Sequence, residues 1–105
     1  MRVAVASMEG AYINHGLQAA EQFFVFDVSL SGISYVEKRE NTFKDKVNTR
    51  KALQGVADML TDCKVICCTQ AGAEAVEFFA RRGVELDMSD GPIDEKLKGF
   101  IETFF

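Results

Sequence analysis

The sequence has little of what disulfide scaffolds, disordered segments and membrane spans require. Among its 105 residues there are only three cysteines and one proline, and there is no tryptophan. Three cysteines cannot all pair within one chain, and the order Cys63, Cys67, Cys68 matches neither a CxxC redox motif nor a structural zinc pattern. No apolar run approaches the roughly 18 residues of a membrane span, and the N-terminus lacks a signal-peptide layout. We therefore expect a cytoplasmic protein that folds without disulfides and does not enter membranes.

An excess of basic residues is also missing. Twelve Lys and Arg against 16 Asp and Glu give a formal net charge of −4, which argues against nucleic acid as the partner. Six bases nevertheless fall in one short stretch, namely Lys38, Arg39, Lys44, Lys46, Arg50 and Lys51. Because acids are interleaved with them, we interpret this stretch as a solvated charged loop that leads into a helix. Binding of an anionic ligand there is the alternative.

What is present is enough apolar residues for a core. Hydrophobic residues make up 48% of the chain, and the length is that of one domain, so we expect residues 1–105 to form a single domain. The patterning predicts five strands, at Arg2–Ser7, Gln22–Ser29, Ile33–Arg39, Val65–Cys68 and Val84–Met88. It predicts three helices: one from Arg50, one over Ala71–Arg82 that ends at Gly83, and one that begins near Pro92.

This order of elements predicts an α/β fold with a mixed five-stranded sheet. The continuous apolar run Val3–Ala6 is typical of a central strand, and the second and third strands form an antiparallel hairpin. Right-handed crossovers then favour the strand order 3-2-1-4-5 with strand two antiparallel. In such sheets ligands bind beyond the carboxyl ends of the parallel strands. We therefore expect residues 7–16, 68–72 and 88–91 to converge on one binding site.

Several residues in these segments could bind a metal or a cofactor. His15 is the only histidine, and its imidazole is a candidate metal ligand, although an isolated loop histidine is more often idle. Cys67 and Cys68 point to opposite faces of their strand, so at most one faces the site. That cysteine would supply a thiolate whose pKa the next helix lowers; the alternative is that both are small buried hydrophobes.

The remaining candidates are weaker. Met8 would offer a thioether, and the helix start at Gly72 would offer free backbone N–H groups to an anion. Ser7 and Asn14, which neighbour Met8 and His15, complete the predicted cofactor-binding set. The known nucleotide fingerprints GxxxxGK[ST] and GxGxxG and the GxSxG nucleophile motif are absent from the sequence. We therefore expect a binding protein and not an enzyme.

Taken in order, the chain resembles the dinitrogenase iron-molybdenum cofactor-biosynthesis family, which includes NifX, NafY and the C-terminal domain of NifB. The segments that carry the resemblance are Val3-Ala4-Val5-Ala6-Ser7, Ile13-Asn14-His15, Ala20-Glu21-Gln22-Phe23, Val25-Phe26-Asp27-Val28, Asp62-Cys63, Gly72 and Gly83-Val84. The family typically shows Asn-x-His-Phe-Gly before the Ala-Glu pair. Here the histidine comes one place earlier, and Gln18 replaces the glycine.

The resemblance implies a ribonuclease-H-like three-layer sandwich that binds or carries an iron-sulfur or molybdenum-iron-sulfur cluster during metallocofactor assembly, in the context of nitrogen fixation. It implies partners among the assembly proteins. We expect a monomer or weak homodimer, because the exposed edge of the third predicted strand could pair with another copy. It also implies a metal ligand at His15 and at Cys67 or Cys68. Two alternatives stay open. One is a protein-interaction or regulatory module of the same fold without a cofactor, which the altered histidine loop favours. The other is a nucleic-acid-processing enzyme, which would need Asp27 and a second acid at the sheet centre.

Overall fold

The computed structural model describes residues 1–42 and 49–105, and Lys44 and Lys46 of the basic stretch lie outside them. The strands are β1 (Arg2–Ala6), β2 (Tyr12–Ile13), β3 (Gln22–Ser29), β4 (Gly32–Glu40), β5 (Cys63–Cys68), β6 (Glu85–Met88) and β7 (Gly91–Pro92). The helices are α1 (Thr49–Met59), α2 (Ala73–Ala80) and α3 (Ile93–Phe104). The five longer strands correspond to the five predicted ones.

The longer strands form one mixed sheet in the order β4-β3-β1-β5-β6. β1 is parallel to β5, which is parallel to β6, whereas β3 is antiparallel to both of its neighbours. β1 lies at the centre because Val3–Ala6 is fully apolar and can be covered on both faces. The prediction of an α/β fold with a mixed five-stranded sheet and three helices is confirmed.

Alternation along β1 divides the core into two layers. Ala4 and Ala6 face a cluster that contains Leu53 of α1 and Phe79 of α2. Val3 and Val5 point the other way, to a cluster that α3 supplies with Ile93, Leu97 and Phe100. Because successive strand residues face opposite sides, a strand between two helical layers has to be apolar throughout. The structure is therefore a helix, sheet, helix sandwich.

The second sheet was not predicted. β2 and β7 pair antiparallel, with Tyr12 opposite Pro92 and Ile13 opposite Gly91. The Ile93 N–H also donates to the Ala11 carbonyl at 2.9 Å. Strands of two residues are too short to show a period of two, so the residue pattern predicts only a long loop here. The pairing ties this loop to the start of α3.

α2 is shorter than predicted, since it begins at Ala73 and ends at Ala80. Its end does follow the expected signal: Gly83 has φ of +75°, and the Val84 N–H turns back to the Phe79 carbonyl at 2.9 Å. The longest described helix, α3, has 12 residues. None of the helices in the described ranges has the length and apolarity needed to cross a bilayer.

The outer strand β4 carries a bulge. Val25 lies opposite Glu37 and Phe26 opposite Tyr35, so Val36 is an extra residue. Bulges and charged side chains on an edge strand discourage pairing with another chain. β4 ends in Glu37, Lys38, Arg39 and Glu40. This edge is therefore poorly suited to strand pairing between copies.

Candidate functional site

The three segments predicted to converge meet beyond the carboxyl ends of β1, β5 and β6. We call the surface formed by residues 7–16, 68–72 and 88–91 the rim. The Thr69 N–H donates to the His15 carbonyl at 2.9 Å, and the Leu17 N–H donates to the Gln70 carbonyl at 3.0 Å. The Ser89 N–H donates to the Cys68 carbonyl at 2.9 Å. Backbone hydrogen bonds therefore join all three segments.

Hydrogen bonds between side chains and backbone groups stabilise the conformation of the loop after β1. The buried Ser7 hydroxyl accepts the Gly10 N–H at 2.9 Å, and Asn14 Oδ1 accepts the Met8 N–H at 2.9 Å. Gln22 Nε2 donates to the carbonyls of Ser7 and Met8 at 3.0 and 2.8 Å. The side chains of Ser7 and Asn14, two predicted cofactor-binding residues, thus form hydrogen bonds that shape the loop.

Glycine is required once in this loop. Gly10 has φ of +84°, a conformation that L side chains rarely adopt. A Cβ there would also lie 2.9 Å from Phe24 Cε1. At Gly10 the loop therefore packs its backbone directly against the ring of Phe24 on β3.

His15 lies at the point where the loop meets the β5–α2 connection. The residue is half-buried, and its carbonyl is held by Thr69. Among the described residues no side chain hydrogen-bonds its imidazole. Both ring nitrogens are therefore available to a ligand, while the backbone of the residue is fixed.

Cys67 and Cys68 do point to opposite faces, as predicted, but both side chains are fully buried. Cys67 belongs to the core layer beneath α3, and Cys68 belongs to the layer beneath α1 and α2. Burial raises the pKa of the Cys68 thiol to about 11 and raises that of Cys67 further. The prediction that the helix start lowers a thiol pKa is wrong, because desolvation outweighs it. In this structure the two thiols contribute to the apolar core.

Cys63 lies at the other end of β5, away from the rim. It is buried as well, and burial raises the pKa of its thiol to about 12. At this position Cys63 contributes to the core layer beneath α1 and α2.

Met8 and Gly72, like Asn14, are predicted rim residues that are exposed to solvent. The Met8 side chain is 62% exposed directly after β1. Gly72 is exposed at the N-terminus of α2, where no side chain caps the helix. The first N–H groups of a helix have no partner within the helix, so this end offers hydrogen-bond donors and a partial positive charge. An exposed thioether and an uncapped helix start are both consistent with a rim that binds a soft anionic ligand.

One rim residue had no signal in the sequence. The Ser89 hydroxyl is buried, and it has no hydrogen-bond partner in the described part of the chain. A buried hydroxyl that no protein group hydrogen-bonds costs free energy, so this one favours a hydrogen bond with a bound ligand. Serine in a turn carries no pattern that would have identified it.

The rim therefore offers one imidazole, the thioethers of Met8 and Met88, backbone donors and a buried hydroxyl. Within residues 1–42 and 49–105 no three His, Cys, Asp or Glu side chains lie together as a metal-binding group. This set of groups suits a ligand that brings its own coordination sphere, such as a preformed cluster whose sulfides accept hydrogen bonds. It does not resemble a closed site for a single metal ion.

Asp27, which the nuclease alternative requires, is not at the sheet centre. Its half-exposed carboxylate lies 3.3 Å from the N-terminal ammonium, at the end of β3 opposite Arg2. In the described part of the chain Asp27 belongs to no group of three or more His, Cys, Asp or Glu side chains of the kind that would hold catalytic metal ions. The nuclease alternative therefore lacks the site that it needs.

Comparison with known proteins gives a family and a fold. The model of the family described as "Dinitrogenase iron-molybdenum cofactor" matches residues 1–103. The crystal structure of the protein PH0822 superposes with a TM-score of 0.75 and 21% identity, over 98% of this chain and 92% of that chain. The NMR structure of a NifB-like protein of the DUF35 family from Thermotoga superposes with a TM-score of 0.64 and 23% identity. The superposition covers 96% of this chain and 87% of that chain. No curated protein sequence matches. At these identities the two structures show the fold alone.

Proposed function

Because the chain belongs to the dinitrogenase iron-molybdenum cofactor family, we propose that it binds an iron-sulfur or molybdenum-iron-sulfur cluster at the rim and carries it during metallocofactor assembly. The cluster is cargo, and the chain is a carrier and not a catalyst. The observation that supports this function most is the half-buried imidazole of His15, which no described side chain hydrogen-bonds at the junction of two rim segments.

Each group at the rim has a role in this proposal. His15 would donate a ring nitrogen to an exposed iron or molybdenum atom. The N–H groups after Gly72 and the hydroxyl of Ser89 would hydrogen-bond the sulfides, whose negative charge the start of α2 favours. Met8 is exposed and would provide a soft contact. The buried thiols of Cys67 and Cys68 would stay in the core.

A single protein ligand suits a carrier. A cluster held by several thiolates is released slowly, whereas one imidazole and a set of hydrogen bonds allow transfer to a partner that offers more ligands. The strand order, the antiparallel β3 and the helices on both faces also support assigning the fold to the ribonuclease-H-like class.

The experiment is anoxic loading of the full chain with a preassembled iron-sulfur cluster, followed by metal and sulfide analysis and absorption spectroscopy. The wild type should retain stoichiometric cluster after gel filtration, and His15→Ala should retain several-fold less. Gln18→Ala, an exposed change in the same loop, is the matched control and should behave as wild type. A wild type that stays colourless, or equal retention by His15→Ala, would contradict the proposal.

The alternative of an interaction module without a cofactor has one observation in its favour, the lack of a group of three ligand side chains in the described residues. It predicts that a cofactor-assembly partner binds the wild type and His15→Ala with equal affinity, and that neither retains cluster. The loading experiment therefore separates the two functions.

A further inference from the structure

We propose that the groove between β6 and α3 is a docking site for an extended segment of a partner protein in which basic and apolar residues alternate, and that this segment adds to the free edge of β6. Only the end of this surface at Met88 belongs to the rim, and the inference does not depend on cluster binding.

The groove has acidic walls and an aromatic floor. It is open to solvent and encloses about 430 Å³, lined by Glu85, Asp87, Glu95, Lys96, Gly99, Phe100, Thr103 and Phe104. The rings of Phe100 and Phe104 meet edge to face with centroids 5.7 Å apart, and Phe104 is 46% exposed. Exposed rings beside carboxylates bind the aliphatic stems and charged ends of Lys and Arg.

The charge of the groove is not balanced from within. Lys96 Nζ lies 3.0 Å from Asp87 Oδ1 and 5.6 Å from the centroid of the Phe100 ring, so its charge is already engaged. Glu85 and Glu95 have no ion-pair partner in the described ranges. The groove therefore presents two uncompensated carboxylates, which favour a cationic occupant.

β6 supplies a backbone template along this groove. It is the last strand of the five-stranded sheet, and in the described residues it pairs only with β5. An edge strand leaves alternate backbone N–H and C=O groups free, and another extended chain can pair with them.

The side chains of β6 alternate between its two faces, and this alternation determines which residue types suit a partner strand that pairs with β6. Glu85 and Asp87 face the groove, whereas Leu86 packs against the core layer under α1 and α2. By the same alternation Met88, which is 49% exposed, lies on the side of Leu86. Side chains of paired strands lie beside those of the same face, so an added strand would place basic residues over the groove and apolar residues beside Leu86 and Met88.

A second copy of this chain fits less well. Pairing of two β6 strands would bring the carboxylates of Glu85 and Asp87 close to those of the other copy, and like charges directly opposite each other are destabilising. A partner of opposite charge avoids this cost.

The test uses a fluorescent peptide of about eight alternating lysine and valine residues, titrated into the full chain, with binding followed by anisotropy. Binding should shift the backbone amide resonances of β6. Combined Glu85→Lys and Glu95→Lys changes should weaken binding by about tenfold or more. Combined Glu74→Lys and Glu77→Lys changes on α2 alter the net charge equally at exposed positions and should leave binding within about twofold of wild type.

A second peptide with N-methylated backbone at alternate positions keeps the charges but cannot pair fully with a strand edge. It should bind the wild-type chain about tenfold more weakly than the unmodified peptide does. This comparison uses no protein variant, so misfolding of a variant cannot affect it. Equal affinity of the two peptides, equal affinity of Glu85→Lys/Glu95→Lys and wild type, or resonance shifts confined to other elements would each overturn the proposal. So would self-association that the double change abolishes, since the occupant would then be a second copy.

Discussion

The N–H of Thr69 donates a 2.9 Å hydrogen bond to the carbonyl of His15, which links the loop after β1 to the connection between β5 and α2. The Leu17 N–H repeats this link at the Gln70 carbonyl two residues away along the loop. The histidine is thus fixed through its backbone while its ring is not hydrogen-bonded by any described side chain. A binding group of this kind is pre-organised, because its loop is ordered before a ligand arrives.

Leu17 anchors this loop in the core, and its truncation should loosen the rim. The side chain is 1% exposed and packs in the layer under α1 and α2. Leu17→Ala should lower the free energy of unfolding by about 2–4 kcal/mol, because it leaves a cavity that the strands cannot close. Urea-induced unfolding followed by circular dichroism measures this. Amide exchange at Thr69 should also become faster.

The control is the same substitution on the surface. Leu30 lies in the turn between β3 and β4 and is 74% exposed. Leu30→Ala should change the free energy of unfolding by less than about 0.5 kcal/mol. Equal effects of the two substitutions would show that Leu17 does not anchor the loop.

The convergence of the rim segments could be predicted from the sequence because it follows from general rules. The apolar run Val3–Ala6 indicated a central strand, and parallel strands place the loops that follow them at one edge. The sequence alone therefore predicts that His15 and Gly72 lie at the rim. The pairing of β2 with β7 could not be predicted, because two-residue strands form through tertiary contacts and leave no periodicity.

The environment of the thiols could not be predicted either. Alternation showed that Cys67 and Cys68 face opposite ways, but only the packing shows that a helical layer covers each face. The direction in which the pKa of each thiol shifts depends on whether a helical layer buries it. A thiol at the end of an open strand would feel the helix start, whereas a buried thiol is dominated by desolvation.

The three cysteines should accordingly be unreactive in the native protein. All are buried, and burial raises the pKa of each thiol, which keeps the thiols protonated at about pH 8. A disulfide exchange reagent should label none of them rapidly in the native protein and all three in concentrated guanidinium.

The buried thiols should also make the stability depend on pH. Because burial raises the pKa values of the folded-state thiols above the unfolded value, the contribution of the buried thiols to stability is present below about pH 9 and is lost as the pH rises further.

An engineered surface thiol calibrates this measurement. Ser31 is exposed in the β3–β4 turn, so Ser31→Cys should add one rapidly labelled group. Rapid labelling of a natural cysteine would instead show that its thiol reaches solvent, and Cys67 or Cys68 would again be a candidate cluster ligand.

Asp62 should make the stability of this protein depend on pH. Its carboxylate accepts hydrogen bonds from both terminal nitrogens of Arg39, at 2.7 and 2.9 Å, and from Arg2 at 2.8 Å. The Arg39 guanidinium holds the pKa of Asp62 well below its usual range, with a smaller contribution from Arg2. Because the folded-state pKa lies below the unfolded one, the stabilisation is present above about pH 4 and is lost as the pH falls below that.

Asp62→Asn should therefore lower the free energy of unfolding by about 1 kcal/mol near neutral pH, a modest value because the carboxylate is 36% exposed and solvent screens the pair. The difference from wild type should stay constant between about pH 6 and 8 and shrink as the pH falls toward 2, since the carboxylate is then protonated in the unfolded wild type and folding has to remove that proton. Urea-induced unfolding at a series of pH values measures this difference in the free energy of unfolding.

The control is Asp90→Asn, at an exposed rim position without an ion pair among the described residues. A plot of its free energy of unfolding against pH should run parallel to that of the wild type. A pH-independent loss in Asp62→Asn would mean that the residue acts through packing and not through its charge.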